Sequence, residues 1–151
     1  MIKQFFHKSS KSLYDCFSIL SKNQQKEFIS MIPPDIMVTS GLNLLQKNIK
    51  TAEAYLSLPQ PGYIKYIATL KDTNYLSDLI VEAGGGSLVL EQRQQLADYH
   101  AKYAEALFKF EPNKSSEMKE HIQKALQLDS NNQLAEDLED SVTFDPFTIG
   151  K

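Results

Sequence analysis

Residues 88–110 read LVLEQRQQLADYHAKYAEALFKF. Within them Val89, Leu96, Tyr99, Tyr103, Leu107 and Phe110 recur at steps of three, four and seven. That spacing keeps apolar side chains on one face of a 3.6-residue helix, and Pro112 ends the pattern. The same rhythm runs upstream through Val38, Leu42, Leu45, Ile49, Ala52 and Leu56. Neither stripe is enriched in the β-branched residues that favour strands. The two stripes therefore predict an all-α protein, a single compact helical bundle.

Working outward, Ile2, Phe6, Leu13, Phe17 and Leu20 form an apolar face with Phe5 and Cys16 at its flanks. They predict an amphipathic helix interrupted near Ser9 and Ser10. Ser21 can cap a short helix carrying Phe28, Ile29 and Ile32, which Pro33 and Pro34 stop. Pro59, Pro61 and Gly62 mark the end of the 38–56 helix. A short helix follows with Tyr63, Ile64, Ile67 and Leu70. Asp72 or Thr73 can cap the next, which carries Tyr75, Leu76, Leu79, Ile80 and Ala83. Two last helices are predicted around Met118, Ile122, Ala125 and Leu126, and around Leu134, Ala135 and Leu138, with the turn Asp129-Ser130-Asn131-Asn132 between them. The domain is read as residues 1–141, with a glycine-rich connection at 84–87 and an extended tail at 142–151.

The chain's 151 residues suit one core rather than two. Hydrophobic residues make up 42% and charged residues 23%, which separates it from disordered chains. Glycine and proline total 12 residues, too few for the many tight turns of a β-sandwich or barrel. A single cysteine, Cys16, rules out an internal disulfide and suits a reducing cytoplasmic setting. The longest apolar runs have three residues, against the roughly 20 of a membrane span, and no secretory signal is predicted.

The net charge of −3 hides an asymmetry: residues 1–70 carry eight lysines and four acids, residues 71–151 eight bases and fifteen acids. The halves can attract each other, or offer partners a basic and an acidic end. With one arginine, Arg93, and scattered lysines, no nucleic-acid surface is expected.

Gly84-Gly85-Gly86-Ser87 is open to three readings: a connection between helices, a β-hairpin of residues 79–82 and 88–91, or a cofactor loop. Its glycines, after Leu79-Ile80-Val81-Glu82-Ala83, resemble the turn of a nucleotide-fold methyltransferase, but no lysine follows and Leu88 stands where another glycine is wanted. His7, His100 and His121 lack the short spacings of a metal site, and no serine sits in a nucleophile elbow. Neither a metal, a cofactor nor a catalytic residue is expected.

Residues 118–132, MKEHIQKALQLDSNN, resemble the second helix of a tetratricopeptide repeat, with Ala125, Leu126, Leu128 and Asp129 at its characteristic ending. Over 99–132 the likeness covers about one repeat, departing where tryptophan, glycine and proline are expected. It implies stacked helix pairs whose groove holds a peptide or helix of a partner. The acidic block Glu136, Asp137, Glu139 and Asp140 resembles the C-terminal translocation signals of type IV secretion effectors, which implies export by a non-classical route. Asp145-Pro146-Phe147 resembles the short peptide that clathrin-adaptor appendage domains capture.

The leading functional expectation is a non-enzymatic protein-protein interaction module, an adaptor, chaperone or effector holding a partner segment in an inter-helical groove, with homo-oligomers also open. Its candidate partner-binding residues are Tyr63, Tyr66, Tyr75, Tyr99 and Tyr103, with Phe144 and Phe147 in the tail. Tyrosine is amphipathic and enriched at interfaces, although several of these must fill the core. The alternatives are a small ligand- or cofactor-binding enzyme domain using Gly84–Gly86, and a helical protein coating granules or membranes through the basic, aromatic residues 1–11.

Overall fold

The fold is that of a computed structural model, which describes residues 20–59 and 61–143. Expectations about the first helix, Cys16, Phe144 and Phe147 lie outside these residues. The described chain forms six α-helices: α1 (Lys22–Ser30), α2 (Pro34–Tyr55), α3 (Gly62–Gly84), α4 (Leu90–Phe110), α5 (Ser115–Leu128) and α6 (Gln133–Thr143). One 3₁₀ turn, Gly85–Ser87, joins α3 to α4. The all-α class is as the apolar stripes require.

The boundaries follow local chemistry. Ser21 and Gln24 exchange backbone-to-side-chain hydrogen bonds at 3.0 and 3.2 Å, closing a capping box at the start of α1. Pro34 begins α2, where its missing N–H and fixed φ cost nothing. Asn132 precedes α6; its Oδ1 accepts from the Ala135 N–H at 2.9 Å, and its Nδ2 donates to Asp98 of α4 at 2.7 Å. One side chain thus caps a helix and anchors it to its neighbour.

The structure departs from the sequence reading in two places and selects among the three readings of the glycine run. Residues 62–84 form one continuous helix rather than two. Thr73 does not cap; its buried hydroxyl donates to the Thr69 carbonyl at 2.8 Å, and the apolar face runs on through Tyr66, Ile67, Leu70, Leu76 and Ile80. α6 extends to Thr143, past the boundary expected at 141, because Val142 completes the Leu134-Leu138 stripe and is buried. Residues 79–82 lie in α3 and 90–91 in α4, so the hairpin reading of the glycine run falls away. The run connects helices.

α2 packs along α3, and α4 along α5, as two helical hairpins, with α6 laid against α4 and α5. Close approach depends on small residues. An added Cβ at Gly41 would lie 2.6 Å from Ile80 Cγ1, so only glycine lets α2 meet α3 there. Ala97 and Ala101 of α4, Ala125 of α5 and Ala135 of α6 form a buried alanine contact. The main core, from Leu45, Leu70, Ile80, Leu96, Tyr99 and Leu107, lies between the hairpins.

Gly85 has φ +48° and ψ −132°, a conformation L-residues rarely adopt, and nothing lies within 4 Å of a Cβ built there. Gly86 has the same open space without the positive φ. Replacing Gly85 by alanine is therefore expected to cost about 1–2 kcal/mol through backbone strain alone, and Gly86→Ala less than about 0.5 kcal/mol. Urea denaturation of the two variants checks this; equal costs would mean that the backbone conformation at Gly85 is not the cause.

Candidate functional site

α3 and α5 both pack on α4, and they meet each other mainly through side chains across it. A groove results, with α4 as its floor. The α3 wall presents Lys71, Asn74, Tyr75, Asp78, Val81 and Glu82; the α5 wall presents Glu117, Glu120, His121, Lys124, Gln127 and Leu128. Spacings of three and four along each wall are those of a single helix face. From Lys71 to Glu82 the groove runs about 16 Å at 1.5 Å per residue.

An ion pair between Asp78 of α3 and Lys124 of α5, at 3.7 Å, bridges the walls. Asp78 lines the hollows on both sides of it. One hollow, about 350 Å³, is completed by Val81, Glu82, His100, Gln127 and Leu128. The other, about 420 Å³, is completed by Lys71, Asn74, Tyr75, Tyr103, Glu117, Glu120 and His121.

Beneath the bridge runs a buried polar chain. Ser77 Oγ lies 2.9 Å from His100 Nε2, and His100 Nδ1 lies 2.9 Å from His121 Nδ1. Ser77 is fully buried, His100 is 1% exposed and His121 is 4% exposed. With both rings neutral, a single proton sits between the facing Nδ1 atoms, so the chain has two directions. Either Ser77 donates and His121 accepts, or His121 donates and Ser77 accepts. The Tyr103 ring stacks on His121 at 4.4 Å, and its hydroxyl donates to Glu117 Oε1 at 2.6 Å. Serine, imidazole and imidazole stand in the order of a nucleophile, base and orienting group, but Ser77 lines neither hollow and has no exposed surface. The chain's direct work is to satisfy polar groups where three helices meet.

Burial is the main cause that pushes the His100 pKa down to about 3, aided by His121 and Lys124. Burial likewise lowers His121, aided by Lys124 and opposed by Glu120, Glu117 and Asp78. The Tyr103 hydroxyl is raised above its ordinary range by burial, then by its hydrogen bond to Glu117.

Of the tyrosines singled out in the sequence, Tyr75 lines the groove, and Tyr103 lies under it, 1% exposed and part of the core. Tyr66 and Tyr99 belong to the core, because both lie on stripes that face the opposing hairpin. Tyr99 donates to the Leu70 carbonyl, and burial followed by Glu53 and Glu105 raises the Tyr66 pKa. Their rings are therefore not available to a partner. Tyr63 stands apart, exposed and stacked on Phe110 at 4.9 Å. It lines a separate hollow of about 210 Å³ with Ile64, Ile67 and Lys114. Sequence reasoning missed His100, His121, Ser77, Asp78 and Lys124. The available signal was that His100 lies four residues from both Leu96 and Ala104, and His121 three from Met118 and four from Ala125, which puts both imidazoles on buried faces.

Both imidazoles titrate lower in the fold than the ordinary value of about 6.5, so below that pH the unfolded chain takes up protons that the folded chain refuses. Their stabilisation is complete above about pH 6.5 and drains away as pH falls, for His100 down to about 3. His100 is expected to cost up to about 1.4 kcal/mol per pH unit as the pH falls below about 6, and His121 acts in the same direction. The double variant His100→Gln/His121→Gln should flatten that slope in urea titrations between about pH 7 and about pH 5; an unchanged slope would exclude the pair as its source. No family model matches this chain, and neither a curated protein nor a solved structure matches it.

Proposed function

We propose that this chain is a non-enzymatic interaction module that holds a segment of a protein partner in the groove between α3 and α5. The observation carrying the reading is the groove itself: two parallel walls, set apart by α4, with apolar and polar side chains interleaved from Lys71 to Glu82 and from Glu117 to Leu128. Its length takes about three turns of a partner helix or about five residues of an extended one. Val81, 37% exposed, gives an incoming segment apolar surface, while the ion pair and carboxylates at the rim set its register. Adaptors, chaperones and effectors all use such a device, and the single Cys16 fits work in a reducing cytoplasm.

A peptide library displayed on phage and selected on the full chain tests this reading. Enriched peptides are expected to lose at least about tenfold in affinity when Val81→Trp fills the groove, a loss of about 1.4 kcal/mol. Leu58→Trp, on the α2–α3 turn, should leave them unaffected. Failure to enrich any peptide, or equal binding by the Val81→Trp variant, would overturn the reading. The melting temperature of each variant establishes that it is folded.

A further inference from the structure

The groove carries a net sign. Four carboxylates line it, from Asp78, Glu82, Glu117 and Glu120, against the ammonium groups of Lys71 and Lys124. Lys124 is already engaged by Asp78 at 3.7 Å and Glu120 at 3.6 Å. The floor adds no positive charge at neutral pH, since burial keeps His100 and His121 neutral.

A second observation points the same way. The side-chain oxygen of Asn74 is buried beside the larger hollow and accepts no hydrogen bond. A buried acceptor without a donor is costly, and it is most simply satisfied by a ligand that brings N–H groups. Glu117 and Glu120, across the same hollow, add negative charge beyond the Tyr103 hydroxyl and the Lys124 ammonium that they already hold. Beyond the Asp78–Lys124 bridge the lining turns apolar with Val81 and Leu128. Acceptors at one end and aliphatic surface at the other describe an occupant that is cationic and amphipathic.

We propose that the groove receives a basic amphipathic segment of a protein partner, with lysine or arginine side chains directed to Asn74, Glu117 and Glu120 and apolar side chains resting on Val81 and Leu128. The proposal rests on the groove being a docking site for a protein segment and adds the chemistry of what docks. Arginine suits the larger hollow well, because a planar guanidinium can donate to two acceptors at once.

The test uses the full chain and two labelled synthetic probes, a short amphipathic peptide of leucine and arginine and its leucine–glutamate counterpart, followed by fluorescence anisotropy at about 0.1 M salt. The arginine peptide is expected to bind saturably with one site per chain. Its affinity should fall about tenfold in Glu82→Gln/Glu120→Gln and less than about twofold in Glu136→Gln/Glu139→Gln, which removes the same charge from α6. Equal losses in the two variants would show a diffuse attraction to an acidic protein and overturn the proposal. So would equal binding of the glutamate peptide, binding of neither peptide, or a second copy of the chain displacing the probe. Library peptides that depend on Val81 but carry no excess of basic residues would overturn this inference and leave the docking role standing.

Discussion

The middle of α4 is buried although it carries polar atoms, and the arrangement of its neighbours follows from the need to satisfy them. The Tyr99 hydroxyl finds the Leu70 carbonyl on α3, and His100 finds Ser77 on α3 and His121 on α5. Tyr103 finds Glu117 on α5. An unsatisfied buried polar group costs about 1–3 kcal/mol, so sliding either neighbour by one turn would forfeit several such contacts together. Apolar packing brings the helices together and tolerates many registers. The hydrogen bonds select one, and in doing so they place the walls of the groove.

That division of labour explains what could be read from the sequence. Apolar stripes announce helices and their buried faces directly, which is why α2, α4 and α5 were legible, along with the glycine run as a connection. Partnership between buried polar groups leaves no such trace: His100 and His121 are 21 residues apart and Ser77 precedes His100 by 23. Only the three-dimensional crossing of α3, α4 and α5 brings them within hydrogen-bond reach. The tyrosines misled for a related reason. Tyrosine is as suited to a core with a hydroxyl partner as to a binding surface, and the sequence does not separate Tyr99, which has the Leu70 carbonyl, from Tyr75, which lines the groove. The expected break at Asp72 and Thr73 failed because a threonine hydroxyl can bond back within its own helix as readily as cap the next.

The charge asymmetry of the chain also acquires a location. Every carboxylate of the groove belongs to the acidic second half of the sequence. Lys124 joins the two walls by pairing with Asp78, pairs with Glu120 within α5, and Lys102 of α4 reaches Glu53 of α2 at 3.7 Å. Such partly exposed pairs contribute little stability, typically below about 1 kcal/mol each. Their effect is on orientation and on the potential met by an incoming segment.

The hairpin layout also bears on how the molecule assembles. The densest packing joins helices adjacent in the chain, α2 with α3 and α4 with α5, so most contacts close short loops and form without long-range search. Each hairpin can gather as a unit before the other is complete. The surfaces joining α3 to α4 and α5 depend on docking of the two units, and the Ser77-His100-His121 chain spans that seam. The groove lies on that seam, so it exists only in chains whose two hairpins have docked.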